Sequence, residues 1–277
     1  MNNKLLIGSD LDGTLLTDNK KIRFKTKRYI HKLKKMGNIV VLATGRPVRT
    51  TIPFYESLKI DTPIICYNGA FCFNPHDKKF RPLSYPIPKS VIKKHYPYFK
   101  EKFSNAALCE SLNHIYYEGE KEIFGFTLIR DKNSKEYMPK EISGPLEKTI
   151  SESVYSFIMH SLRHDEEFKN EIISYVKNNM PGYIVDFWSE NWYFEIRKEG
   201  VNKASTLRKL QKLYKIPNEN VYTFGDSVND IQLTNEFKHG YTMVNGKEYL
   251  KTNNVTKKDN NHNGVVYEIK QILKTKN

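Results

Sequence analysis

The chain predicts an α/β fold: a parallel sheet covered by helices on both faces, split in sequence by an inserted α+β unit. Three observations lead there. Short apolar runs alternate with amphipathic stretches from residue 1 to about 84; the texture changes from about 85 to 188, after Pro86 and Pro88; and the alternation then returns and continues to the C-terminus.

The elements follow in order. Leu5 to Ser9 reads as a strand, because an unbroken apolar run such as Leu5-Leu6-Ile7 suits burial on both faces. Thr26 to Met36 carries Tyr29, Ile30, Leu33 and Met36 at helical spacing and is stopped by Gly37. Asn38 to Ala43 is a second strand, followed by a short helical segment and a third strand over Pro63 to Tyr67. Within the insertion, strands are expected at Ala106 to Glu110, Ile115 to Tyr117 and Ser153 to His160. A helix over Asp165 to Asn178 turns Phe168, Ile172, Ile173 and Val176 inward. Trp192 to Ile196 marks the return of the βα rhythm. Ala204 to Tyr214 is helical, with Leu207, Leu210 and Tyr214 on one face before Pro217. Val221 to Phe224 and Gly240 to Val244 are strands, and Val265 to Leu273 closes the chain as an amphipathic helix behind Gly264. Lys251 to Asn263 is polar and rich in lysine and asparagine, with no element assigned.

A chain of 277 residues buries enough apolar surface without covalent staples. Cys66, Cys72 and Cys109 are odd in number and form no CxxC pair, which argues against a disulfide framework or zinc knuckle and for a reducing compartment. Met1-Asn2-Asn3-Lys4 runs straight into the first strand, leaving no room for a signal peptide, and no apolar run approaches the length of a membrane span. The expectation is a soluble, cytoplasmic protein, monomer or homodimer, with no membrane partner. Lys and Arg number 45 against 31 Asp and Glu, a net charge of +14, but the lysines are scattered through every segment. With no arginine-rich tract, helix-turn-helix or zinc-finger spacing, the charge reads as a compositional bias, and no nucleic-acid partner is expected.

The chemistry gathers where strands end. Asp10-Leu11-Asp12-Gly13-Thr14 releases two carboxylates into a glycine turn directly after the first strand. Like charges about 4 Å apart repel by about 1 to 4 kcal/mol, so something positive belongs beside them. Such a pair holds a divalent metal or divides nucleophile and proton-carrier roles; alone, it is also ordinary Asp-Gly turn chemistry. In an open parallel sheet, ligands bind outside the carboxyl ends of the strands. Three further strand ends carry Thr44-Gly45-Arg46, Asn68-Gly69 and Gly225-Asp226-Ser227-Val228-Asn229-Asp230. The last of these taken alone is an Asx turn, or half a calcium loop without the EF-hand spacing. His160 and His164 have i, i+4 spacing but lack the glutamate of a HExxH pair, and read as structural.

In this order the motifs resemble the haloacid dehalogenase superfamily of phosphohydrolases, in its Cof-like branch. Asp10 to Thr14 matches the family's first motif, Thr44 the second, Lys203 in Gly200-Val201-Asn202-Lys203 the third, and Gly225 to Asp230 the fourth. The resemblance implies a Rossmann-like catalytic core over 1–84 and 189–277, with an α+β cap over 85–188 that sets substrate specificity. It further implies Mg²⁺-dependent hydrolysis of small phosphomonoesters, such as sugar phosphates or phosphorylated cofactors, through an aspartyl-phosphate. Asp10 is then the nucleophile and Asp12 the proton carrier. Thr44, Lys203 and the backbone N–H groups of Leu11 and Gly45 hold the phosphoryl oxygens, and Asp10, Asp226 and the Asp12 carbonyl hold Mg²⁺. Asn229, beside the phosphate, and Asp230 orient Lys203 and the metal-bound waters. Arg46 contacts phosphate or cap, or forms a salt bridge, and Asn68 sets a turn within reach of substrate. Two departures stand out: Lys203-Ala204 where the family often has Lys-Gly, and Met243-Val244-Asn245-Gly246 where it often has Met-Gly-Asn-Ala. One alternative is a phosphohexomutase of the same superfamily, whose arginine- and asparagine-rich cap stretch is not found here. Another is a non-catalytic basic protein that binds phospholigands or nucleic acid, against which the presence of both Asp10 and Asp12 weighs.

Overall fold

The computed structural model describes residues 4–125, 136–188, 192–251 and 254–275. The leading Met1-Asn2-Asn3, the expected return to the core at 189 and residues 252–253 of the polar stretch lie outside them. Two compact units emerge, one of Met1–Pro47, Thr51–Leu83 and Asn202–Asn277, the other of Val48–Thr50 and Ser84–Val201. The first stretch of chain forms β1 (Leu6–Ser9), α1 (Phe24–Lys35), β2 (Ile39–Leu42), α2 (Val48–Leu58), β3 (Ile64–Cys66), β4 (Phe71–Phe73) and β5 (Leu83–Ser84). The insertion contributes α3 (Lys89–Lys102), β6 (Ser104–Glu110), β7 (His114–Glu118), β8 (Lys140–Ser143), α4 (Leu146–Thr149), β9 (Ser156–Ser161), α5 (Glu166–Asn179), β10 (Tyr183–Trp188) and β11 (Tyr193–Lys198). The last stretch adds α6 (Lys203–Leu213), β12 (Val221–Gly225), α7 (Ile231–Asn235), β13 (His239–Thr242), β14 (Asn254–Val255) and α8 (Gly264–Thr275).

The first unit is built on a parallel sheet in the order β14-β13-β12-β1-β2. All four residues of β1 are buried, and Leu6 sits opposite Ile39 on one side and Val221 on the other. An unbroken apolar run is therefore stable only at this central position, where both faces are covered. Leu6, Val41, Ile65, Ala204, Leu207, Leu210, Val221 and Leu233 pack into one core. The third apolar run joins this sheet through a single parallel bridge, Ala43 to Ile65, and pairs antiparallel with β4. Ile30 and Leu33 of α1 are buried as their spacing predicts, but Met36, beyond the last helical turn, is exposed.

The second unit holds a six-stranded sheet in the order β10-β11-β9-β6-β7-β8, antiparallel except for β7 with β8. Phe99 of α3 and Phe168 and Ile172 of α5 pack on one face against Cys109, Phe157, Phe194 and Ile196. Ile173, one residue on from Ile172 and so about 100° around the helix, is exposed rather than inward. The stretch Trp192 to Ile196, taken from sequence as the return to the core, instead supplies β11, which pairs with β10 from Tyr183↔Lys198 to Trp188↔Tyr193 and with β9. The second unit thus runs on to Val201 rather than ending at 188. The reason is visible in β11: Phe194 and Ile196 are buried among the helices, and Glu195 between them is buried as well, its carboxylate accepting from the Ser156 hydroxyl of β9 at 3.1 Å. Cys66, Cys72 and Cys109 are all buried. Among the described residues, no helix is long and apolar enough to cross a membrane.

Candidate active site

The site assembles at the carboxyl ends of the strands of the first unit. Asp10 leaves β1 with its N–H donated to the Phe224 carbonyl at 3.0 Å, which anchors it between β1 and β12. The chain then turns through Leu11–Leu15, closed by the Leu16 N–H on the Leu11 carbonyl at 2.8 Å. Gly13 sits at φ +68°, and a Cβ there would lie 2.2 Å from Asp226 Oδ2, so only glycine lets the two acidic loops approach. Thr14 Oγ1 donates to Asp226 Oδ1 at 2.9 Å.

Lys203 opens α6 behind a capping box formed by Asn202 and Ser205. It is 1% exposed, and its ammonium donates to Asp10 Oδ1 at 2.7 Å and Asp230 Oδ1 at 2.8 Å. Asp230 Oδ2 accepts from the backbone N–H groups of Asp226 and Ser227, so the turn after β12 orients it. Asp10, Asp226 and Asp230 thereby offer carboxylate oxygens within 4.8 Å of one another. Burial pushes the Asp10 carboxyl well up, helped by Asp230 and Asp226 and opposed by Lys203. Burial, with Asp230 adding, pushes Asp226 up to about 6. Burial alone would lower Lys203, but Asp10 and Asp230 outweigh it and hold the ammonium protonated. With all three ionised, the cluster would carry two negative charges beyond its one ammonium, and three hard carboxylate donors so placed fit a divalent cation such as Mg²⁺, which would relieve the repulsion that pushes Asp10 and Asp226 up. Asp230 thus stands in the carboxylate cluster as well as orienting Lys203.

Asp12 faces elsewhere. Its carboxylate accepts from Arg46 Nε at 2.5 Å and Nη2 at 2.7 Å, and from Lys20 Nζ at 2.6 Å. Burial would raise its pKa, yet Arg46 and then Lys20 outweigh burial and bring it down to about 2. Arg46 therefore forms the salt bridge, and its guanidinium also lies over the Phe54 ring.

The end of β2 lies alongside. The Thr44 N–H donates to the Ile65 carbonyl, and its hydroxyl accepts from the Arg46 N–H at 3.1 Å. A Cβ on Gly45 would meet Asn68 Oδ1 at 2.8 Å, so glycine keeps that approach open. Asn229 donates to Asn68 Oδ1 at 3.0 Å, while the Lys203 ammonium is held by Asp10 and Asp230. All four strand-end motifs are brought together in one unit. Two residues the sequence reading passed over join them. Lys20 is one lysine among many, with no local signal, and Asn245, seen only as a departure from the family pattern, donates to the Gly13 carbonyl at 2.8 Å. His160 instead bonds Asn105 and stacks on Trp192, and His164 packs on the same indole, as structural histidines do.

A parallel α/β unit with paired aspartates in the turn after its first strand, a buried lysine between two carboxylates and an acidic loop after a later strand defines a phosphoryl-transfer enzyme of the haloacid dehalogenase type. The model of the haloacid dehalogenase-like hydrolase family matches residues 7–269, and the chain belongs to that family, in its Cof-like branch of phosphatases. It is 32% identical over 274 residues to the 5-amino-6-(5-phospho-D-ribitylamino)uracil phosphatase YitU of Bacillus subtilis, covering 97% of each chain. It is 27% identical to the pyridoxal phosphate phosphatase YbhA of Escherichia coli, covering 89% of this chain and 90% of that one. The crystal structure of TM0651 from Thermotoga maritima superposes with a TM-score of 0.76 at 25% identity, over 97% of both chains.

Proposed function

We propose that the chain hydrolyses small phosphomonoesters with Mg²⁺ as cofactor. Asp10 attacks phosphorus and the ester P–O bond breaks; Asp12, ionised in its pair with Arg46 and Lys20 at rest, leaves that pair and takes up a proton before it gives one to the departing alkoxide. Asp12 then takes a proton from water, whose oxygen attacks the phosphoryl group and releases phosphate and free Asp10. Lys203, Thr44 and the backbone N–H groups of Leu11 and Gly45 hold the phosphoryl oxygens, with Asn229 and Asn68 at the edge of the site, while Asp230 keeps Lys203 aimed. Asp10, Asp226 and the Asp12 carbonyl, joined by the Asp230 carboxylate, hold Mg²⁺. The cation supplies charge neutralisation that lets an anionic nucleophile meet an anionic ester. The observation that carries this reading is the buried Lys203 shared by Asp10 and Asp230, within a carboxylate cluster that needs a further cation.

The inserted unit, which carries none of the motif residues, selects the ester. The first substrates to try are the phosphorylated ribitylaminouracil and pyridoxal phosphate on which the relatives named above act, followed by sugar phosphates. The test is phosphate release from such a panel with Mg²⁺ and with chelator. Mg²⁺-dependent release from one or more esters is expected; release from none sinks the proposal.

A further inference from the structure

The turn after β3 is left-handed at three residues in succession. Tyr67, Asn68 and Gly69 stand at φ +50°, +53° and +101°, a run that glycine adopts freely, asparagine tolerates and tyrosine adopts only where its surroundings impose it. Here they do. The Asn68 N–H donates to the Thr44 carbonyl and the Tyr67 N–H to the Arg46 carbonyl, both at 3.1 Å, which ties the turn to the end of β2. Thr206 of α6 donates its hydroxyl to the Gly69 carbonyl at 2.9 Å. A Cβ on Gly69 would lie 2.3 Å from the Asn202 carbonyl oxygen, so the turn also presses on the residue that caps the helix of Lys203. So held, the Asn68 side chain reaches the loop after β12 and accepts from Asn229 Nδ2 at 3.0 Å. Gly45 lies at that contact: a Cβ on it would stand 2.8 Å from Asn68 Oδ1 and 3.3 Å from Asn229 Nδ2.

We infer that Asn68 is a positioning residue for phosphoryl binding: its amide holds the Asn229 amide beside the Gly45 N–H, making of the two a pair of neutral donors for a phosphoryl oxygen. This rests on the phosphatase reading above, which puts Gly45 and Asn229 at the phosphate. An amide nitrogen carries two hydrogens; Asn229 gives one to Asn68, which fixes the plane of the amide and turns the second toward an acceptor. Untethered, a side chain with two rotatable bonds has to be ordered by the ligand at each binding event, and binding weakens by that cost. The clamped turn does the ordering on folding instead. The choice of amides follows from charge. A carboxylate at position 68 would accept the same hydrogen bond, but it would add a negative charge to a site that gathers Asp10, Asp226 and Asp230 and must take an anion. Because the donors meet the phosphoryl group before and during reaction alike, they act on binding rather than on the turnover of bound ester.

The test uses the full chain with Mg²⁺ and measures binding of inorganic phosphate by calorimetry, beside KM and kcat for p-nitrophenyl phosphate and pyridoxal phosphate. Asn68→Gly deletes the amide but keeps a residue at ease at φ +53°, so the turn survives. It is expected to weaken phosphate binding about fivefold and to raise KM for both esters by a similar factor, with kcat within about twofold. Asn229→Ala is expected to lose at least as much, and the double variant no more than Asn229→Ala alone, because Asn68 acts through Asn229. An Asn68→Gly variant that binds phosphate as the parent does overturns the inference, since the amide then positions nothing. So does an Asn229→Ala variant that binds as the parent does, and so do losses that add in the double variant, which would make Asn68 a contact in its own right. The phosphatase reading survives all three results. A parent that binds phosphate but hydrolyses no ester overturns that reading while the calorimetry still decides the role of Asn68, and a parent that does neither overturns both.

Discussion

Replacing Lys203 with methionine removes the one ammonium of the carboxylate cluster while keeping most of the side-chain volume. At 2.7 and 2.8 Å, and with an effective dielectric of about 20, each of its contacts is worth about 6 kcal/mol before solvation. Desolvation of the ions takes back several kcal/mol apiece, but in the variant Asp10 and Asp230 remain buried after their cation has gone. Removing one partner of a buried pair costs about 3–5 kcal/mol, and for a unit of this size that lowers Tm by about 10 °C. The same change raises the Asp10 carboxyl further, because Lys203 is the group holding it down, and so removes the anionic nucleophile. Thermal unfolding in chelator and steady-state kinetics on two unrelated phosphate esters provide the assay. Both esters are expected to slow alike, since Lys203 meets the phosphoryl group common to all. A variant as stable as the parent, or one that slows a single ester, would refute the reasoning.

Three other outcomes follow from the same geometry. Mg²⁺ is expected to raise both Tm and activity, with chelator reversing both and Ca²⁺ inhibiting through its looser coordination; Asp226→Asn then needs more Mg²⁺ for half-maximal effect, and full activity in excess chelator would sink the metal assignment. Because Asp226 sits at about 6 in the folded chain, above its usual value, its stabilising contribution is present in acid and lost as pH rises through about 6. Tm in chelator is therefore expected to fall between about pH 4 and pH 7 and to flatten with Mg²⁺, whereas Asp12, at about 2, acts in the opposite sense only below about pH 4. Asp10→Asn is expected to abolish turnover and rapid-quench phosphoenzyme labelling together; Asp12→Asn keeps labelling with a good leaving group but slows hydrolysis by about 10²- to 10⁴-fold, and parental rates in Asp12→Asn would reverse the role assignment.

Asp10, Thr44 and the Gly225-to-Asp230 loop stand out in the sequence because the signal is local, whereas Lys203, at the start of a helix and one lysine among many, stands out only through the resemblance to a family. An apolar run that ends in glycine and small polar residues is a buried strand opening into a turn, whatever lies elsewhere, and in a parallel sheet such turns share one edge. The direction each side chain takes was not local. Asp10 and Asp12 lie two residues apart in one turn, yet one faces Lys203 and the other Arg46 and Lys20, a division set by the irregular backbone at Asp12 and Gly13. Asn229 and Asp230 are neighbours, yet only Asp230 reaches Lys203. Nothing local in Trp192 to Ile196 said which sheet would take it; the pairing of β11 with β9 and β10 decided that. Nor did anything local mark Asn260 and Asn261 out among the other asparagines. Their bonds to Asp18 span more than 240 residues, and hydrogen bonds of that kind leave no periodicity in a sequence because only the folded chain brings the partners together.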